Sequence, residues 1–359
     1  MNRVHNFSAG PAALPLEVLE QTHQELMNWN NQGASVMEIS HRSDAFIALH
    51  QQLCESVRRV LKVPNNYHVL FLHGGANGQF FGVPMNLLGQ NRKANYLITG
   101  HWSRQATDEA KKYGEINIAC DLKDQTTHQL PELHDWNIDE GAAYTYLVSN
   151  ETLIGLQFKS FPALPHPLVA DMTSDLFARE VDISQFGIVF AGTQKNFGIA
   201  GMSLCIVRDD LLDQALDITP RIMHYKSQVK KDSFCNTIPT FPCYMSLLMC
   251  QWIEANGGVK NMQLINDRKA KKIYEIIDQY PLYINQVCQT NRSNCNVSFH
   301  LQDANLTETF LKNAKDHQLH GLKGHRTVGG IRASIYNGVP EKAVDDLCEF
   351  MIDFAHKHA

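Results

Sequence analysis

No apolar run of membrane-spanning length occurs in this 359-residue sequence, so nothing in it reads as a transmembrane helix. A CxxC pair is missing as well, and nine cysteines are an odd number; both argue for reduced thiols and against a disulfide framework. Basic residues are not in excess. Lys and Arg total 32 against 37 Asp and Glu, and a net charge of −5 excludes a general nucleic-acid binder, which must neutralise phosphates over a broad surface. Any anion site must therefore be local. The opening residues hold no basic region leading into an apolar stretch, because Pro11 and Pro15 interrupt the only candidate; the expectation is a cytoplasmic protein with no nucleic-acid or membrane partner. No repeat or low-complexity tract stands out.

What is present is an ordinary globular composition. Hydrophobic residues make up 44% and charged residues 19%, far from the low hydrophobicity of disordered chains, and the length suits a large domain with a smaller one. Phe46, Leu49, Leu53, Val57, Val60 and Leu61 recur at helical spacing after a cap at Ser43 or Asp44, which predicts a helix over 44–61. Apolar runs over 68–72, 95–99, 142–148, 168–170 and 187–191 predict buried parallel strands, with helices over 78–88 and 104–113 between them. This alternation predicts an α/β fold with a mainly parallel sheet, whose ligands gather at the carboxyl ends of the strands. From Tyr244 to Tyr280 the chain reads as helix, a break at Gly257-Gly258, and helix again. A second unit starts near residue 260, with strands over 296–301 and 330–335 and helices over 306–317 and from Pro340 onward.

Five of the expected strand ends carry residues suited to chemistry. Lys195 follows the run ending at Ala191; a reactive amine there needs a desolvated pocket or nearby positive charge to lose its proton, whereas most lysines at strand ends are solvated charges. Asp171 closes the preceding run and could pair with a ring nitrogen, or cap a helix. The segment His73-Gly-Gly-Ala-Asn-Gly78 follows a strand and opens a helix, so its free N–H groups suit a phosphate, although it matches neither dinucleotide fingerprint nor P-loop and glycine also serves plain turns. Trp102 could stack on a flat ring, or belong to the core, and Thr152 offers a hydroxyl. A basic set, His41, Arg42, Lys323, His325, Arg326 and Arg332, suits a small multiply anionic substrate in an otherwise acidic protein.

Taken together, the segments Asn6-Phe-Ser-Ala-Gly-Pro11, Glu38-Ile-Ser-His-Arg42, His73-Gly-Gly-Ala76, Asn150-Glu-Thr152, Ala191-Gly-Thr-Gln-Lys-Asn196, Asn236-Thr237 and Gly324-His-Arg-Thr-Val-Gly-Gly-Ile-Arg-Ala-Ser-Ile-Tyr-Asn337 resemble the phosphoserine aminotransferases nearly end to end. These are fold-type I enzymes dependent on pyridoxal 5′-phosphate (PLP). The resemblance implies a large PLP-binding domain over 16–259 and a small α+β domain made of 1–15 and 260–359. It implies that Lys195 is the Schiff-base lysine, that Asp171 meets the pyridine nitrogen, that Trp102 stacks on the ring and that Thr152 bonds the ring hydroxyl. Ala76, Asn77 and Gln194 would hold the cofactor phosphate, joined by Asn236 and Thr237 from a second subunit. His41, Arg42, His325, Arg326 and Arg332 would form a substrate pocket shared across a homodimer, with Arg332 on the α-carboxylate. Some members carry Arg where this chain has Asn77. The implied reaction is amino transfer from L-glutamate to 3-phosphohydroxypyruvate in serine biosynthesis, with a second phosphorylated 2-oxo acid in pyridoxine synthesis. Two other readings stay open on the residues alone: another fold-type I enzyme, such as a different aminotransferase or a cysteine desulfurase, and a non-enzymatic nucleotide-binding α/β protein. No metal site is expected.

Overall fold

A computed structural model of the protein describes residues 3–123 and 127–358. A short strand β1 (His5–Asn6) and helix α1 (Leu16–Glu25) lead into α2 (Asp44–Leu61), which buries Phe46, Leu49, Leu53, Val57 and Leu61 on one face. Its first turn is closed by Ser43, whose side chain accepts from the Phe46 N–H. Strands and helices then alternate: β2 (Tyr67–His73), α3 (Gly75–Leu87), β3 (Lys93–Ile98), α4 (His101–Ala110), β4 (Glu115–Asp121) and β5 (Thr145–Val148). A small hairpin, β6 (Asn150–Glu151) with β7 (Leu156–Gln157), is followed by β8 (Leu168–Asp171), β9 (Ile188–Gly192) and β10 (Met202–Arg208).

Seven of these strands form one sheet in the order β2-β10-β9-β8-β5-β3-β4. Only β10 runs against the rest. Both faces are covered. Phe71, Leu97, Leu147, Val189 and Leu204 point into the core shared with α2, while Leu70, Tyr96, Tyr146, Phe190 and Cys205, one residue out of step, point into the core beneath α3. Burial on both faces is why the strands read as continuous apolar runs.

The sequence reading omits two strands of this sheet. β4 is an edge strand with mostly half-exposed or exposed residues, so its apolar signal is weak. β10 follows β9 after only residues 193–201, too short a connection for a parallel crossover, and it therefore returns antiparallel and separates β2 from the other strands. β2 keeps the direction of the other expected strands, as the sequence reading has it, but joins them through β10, its antiparallel neighbour.

Beyond β10 come the short α5 (Tyr225–Val229), α6 (Thr240–Ala255) and, after the Gly257 break, α7 (Gly258–Gln279). The last of these crosses between cores: Val259 and Met262 belong to the large one, Ala270, Ile273 and Ile277 to a second. That second core is built on β11 (Tyr283–Ile284), β12 (Asn296–Leu301), α8 (Thr307–Asp316), β13 (Leu319–His320), β14 (Ile331–Ser334) and α9 (Glu341–His358). β1 pairs in parallel with β13 and carries the chain to Phe7, which is buried in the second core. Among the described residues no helix is long and apolar enough to cross a membrane.

Candidate active site

The carboxyl ends of β2, β3, β5, β8 and β9 open onto one cavity of about 550 Å³. Lys195, Asp171, Trp102, Thr152, Ala76, Asn77, Gln194, His325 and Arg332 all line it, so nine residues singled out from the sequence meet at one place.

Lys195 sits in the turn between β9 and β10, and only 8% of it is exposed. Burial lowers its amine pKa to about 8; Asp171 opposes the drop and Arg332 adds to it. Nζ lies 6.0 Å from the centre of the Trp102 ring, and among the described residues no hydrogen bond engages it. Asp171 ends β8, beside β9, and is buried. Burial raises its carboxyl pKa to about 6, against the pull of Thr173, whose N–H donates to Oδ1 at 2.9 Å, and of the Lys195 charge.

The anion end is backbone. Gly74, with φ of +89°, turns the chain out of β2 and directly into α3, a conformation that glycine alone adopts freely. A Cβ on Gly78 would lie 2.8 Å from the His73 carbonyl, so the first turn of the helix packs hard against the strand end. The resulting free N–H groups and helix dipole face a cavity wall with no charged side chain among Gly74, Gly75, Ala76 and Asn77. Opposite, Trp102 in the first turn of α4 donates its indole Nε1–H to Thr152 Oγ1 at 2.8 Å. Arg332, on β14, reaches across from the second core, and its Nη1 donates to the Thr152 carbonyl at 3.4 Å. The imidazole of His325 lies 5.5 Å from that of His101.

A buried amine with a lowered pKa, a buried acid, a flat aromatic wall and an anion-seeking helix end are the donor set that PLP needs, and the residues present fit it. Among the described residues no cysteine lines the cavity. Six expected residues are not brought in. Arg42, Asn236, Thr237, Lys323 and Arg326 are exposed, His41 is half-buried against Phe234, and none of them lines the cavity of its own chain.

The sequence reading missed Glu151, although it stands inside a quoted motif. It is 1% exposed and accepts from Trp102 N–H at 3.1 Å and from the Ser103 N–H and hydroxyl at 2.8 and 2.6 Å. The available signal was Gly100, a helix start with no side chain to cap itself.

The aminotransferase class-V family model matches residues 4–347. The chain is 46% identical to the phosphoserine aminotransferase of Hahella chejuensis over 100% of this chain and 99% of that one. It is also similar to the solved phosphoserine aminotransferase of Bacillus circulans subsp. alkalophilus, with a TM-score of 0.96 and 41% identity over 99% of both chains. The PLP-bound phosphoserine aminotransferase of Trichomonas vaginalis superimposes with a TM-score of 0.94 at 39% identity, covering 98% of this chain and 100% of that one.

Proposed function

The chain belongs to the phosphoserine aminotransferases of the class-V aminotransferase family, and on that premise we propose which of its residues carry the reaction. It is a PLP-dependent transaminase that moves an amino group reversibly between L-glutamate and 3-phosphohydroxypyruvate, giving 2-oxoglutarate and O-phospho-L-serine. The observation that supports the assignment of roles is the meeting of Lys195, Asp171 and the α3 terminus around one cavity.

When bound, PLP supplies an electron sink that acidifies the substrate Cα–H bond. Lys195 would hold the cofactor covalently, and Asp171, as a carboxylate, would pair with the pyridine nitrogen. Trp102 would cover the ring face and Thr152 would meet the ring hydroxyl. The N–H groups at Ala76 and Asn77, with Gln194, would take the phosphate, and the backbone cradle works with Asn at position 77. Lys195 Nζ, when not holding the cofactor, would be the base that takes the proton from the substrate Cα. Arg332 is suited to the α-carboxylate, because its planar fork matches a carboxylate and it projects into the cavity beside Thr152.

The remaining basic residues belong to the distal phosphate or the γ-carboxylate of glutamate. His325 comes from the same chain and Arg326 follows it in a pocket shared across a homodimer, whereas His41 and Arg42, with Asn236 and Thr237 at the cofactor phosphate, come from the second copy. None of these four lines the cavity of its own chain, and all except the half-buried His41 are exposed, which supports that arrangement. The division into a large domain over 16–259 and a small one of 1–15 and 260–359 places the cavity between them. A related phosphorylated hydroxy-oxobutanoate, giving 4-phosphohydroxy-L-threonine, is a second acceptor, and the enzyme works in the cytoplasm.

Initial-rate kinetics with purified protein test the roles. Double-reciprocal plots at several glutamate concentrations are expected to be parallel, since the two substrates take turns on one site, and Lys195→Ala is expected to abolish transamination. Intersecting lines would count against the two substrates taking turns, and a Lys195→Ala protein with full activity would remove the assignment of Lys195.

A further inference from the structure

Both polar ends of Trp102 are tied to one dipeptide. Its indole Nε1–H goes to Thr152 Oγ1, and its backbone N–H goes to Glu151 Oε2. Glu151 Oε1 takes two further hydrogen bonds from Ser103, the next residue along α4. The carboxylate thus sits against the first turn of a ten-residue helix, where N–H groups have no partner within the helix. A negative charge is favoured at that end by the helix dipole and by the free donors.

The fit is specific to this pair of residues. A Cβ at Gly100 would lie 2.5 Å from Glu151 Cδ, so glycine at the helix start leaves the capping place to a carboxylate from a distant strand end. Glu151 is fully enclosed, and burial raises its carboxyl pKa while the Ser103 and Trp102 donors pull it back. It does not line the cavity, so it cannot touch a ligand there. What it can touch is the backbone that carries the aromatic wall. Helix ends fray, and a tryptophan anchored only by its indole would tilt as the first turn moved. With the indole donating to Thr152 Oγ1, the Thr152 hydroxyl proton also remains available to a ligand atom.

We propose that Glu151 is a positioning residue of the active site: by capping the first turn of α4 it fixes the plane of the Trp102 indole against the cofactor ring. The proposal rests on the reading of Trp102 as the ring platform. Glu151→Gln keeps the shape and one acceptor oxygen, but turns an NH2 group toward donors and removes the charge.

The test is a double-mutant cycle on the full-length apoprotein, with the PLP dissociation constant read by equilibrium dialysis and the circular dichroism of the bound cofactor band as a geometric signature. Glu151→Gln is expected to weaken binding about tenfold in the presence of Trp102 and less than about twofold in a Trp102→Ala background, where no ring is left to position, the non-additivity of residues acting through one another. The dichroic band per bound cofactor should shrink in the single variant. Equal losses in both backgrounds, with an unchanged band, would mean that Glu151 serves the fold alone and would overturn the proposal. A Trp102→Ala protein that binds PLP like the parent would instead overturn the platform reading beneath it. Should Glu151→Gln not fold, Ser103→Ala, which deletes the 2.6 Å bond to the same carboxylate, enters the same cycle with the same expectation.

Discussion

Lys195 shows how burial decides when a residue can react. With its pKa lowered to about 8, the amine is protonated below that value and free above it. The rate at which apoprotein takes up PLP, followed by absorbance, should therefore rise with pH through about 8 and level off above. Arg332→Gln removes one of the charges that lower this pKa, so the midpoint should move to higher pH; a midpoint unchanged by that substitution would contradict the electrostatic account. Asp171 carries the opposite sign of shift. Its carboxyl is raised from 3.8 to about 6 mainly by burial, so ionisation disfavours the folded apoprotein as pH rises across that window. Asp171→Asn should then stabilise the apoprotein above pH 6 by at most about 3 kcal/mol, with the gain shrinking at lower pH, while PLP binding weakens. Thermal melts at two pH values check the first half. Lys195 and Asp171 were legible in the sequence because each ends an apolar run. Glu151 was not, because its task depends on a helix end far away in the chain, which no local pattern reveals.

At the scale of elements, the site is a property of strand ends. The run over 68–72 ending in a glycine turn was enough to expect β2 followed by an anion-seeking helix, and α3 does open there, earlier than the periodicity indicated, at Gly75. Periodicity could not see this start because Gly75, Ala76 and Asn77 carry no apolar stripe. The close packing of α3 on β2 can be tested at Gly78. Gly78→Ala brings a Cβ within 2.8 Å of a backbone carbonyl that cannot move aside cheaply. The expected cost is about 1–3 kcal/mol of apoprotein stability, with weaker PLP binding as the first turn shifts, both measurable by denaturant titration and dialysis. Unchanged values would mean that the strand and helix are less tightly coupled than their geometry implies. β4 and β10 escaped the sequence reading for separate reasons, an exposed edge in one case and a short antiparallel return in the other.

For the whole molecule, the two cores meet over buried polar contacts. Asn150 Nδ2 donates to Asn296 Oδ1 at 2.8 Å, and Asn296 Nδ2 in turn donates to Ser334 Oγ and Tyr336 Oη at 2.9 and 3.0 Å. Asn196, next to Lys195, accepts from the Asn337 N–H at 3.0 Å. These bonds tie β14, and with it Arg332, to the strand ends that hold the rest of the site. They were invisible in the sequence, since amide pairing leaves no spacing signature. The residues that fall outside the cavity of their own chain raise a prediction at this scale. Arg42→Ala and Lys195→Ala proteins should each be inactive, yet in the proposed homodimer mixing and reassembling them should restore about a quarter of the parent activity, because half of the dimers would be hybrids and each hybrid would hold one intact site. No recovery in hybrids shown to form would place Arg42 outside the shared site.

The most direct test of the central claim is the absorption spectrum of the PLP-loaded protein as glutamate and then 3-phosphohydroxypyruvate are added. The band of the lysine-bound cofactor should disappear with glutamate and return with the phosphorylated keto acid but not with pyruvate. A band that glutamate leaves untouched would contradict the glutamate-linked transfer, and the absence of any band would contradict the role of Lys195.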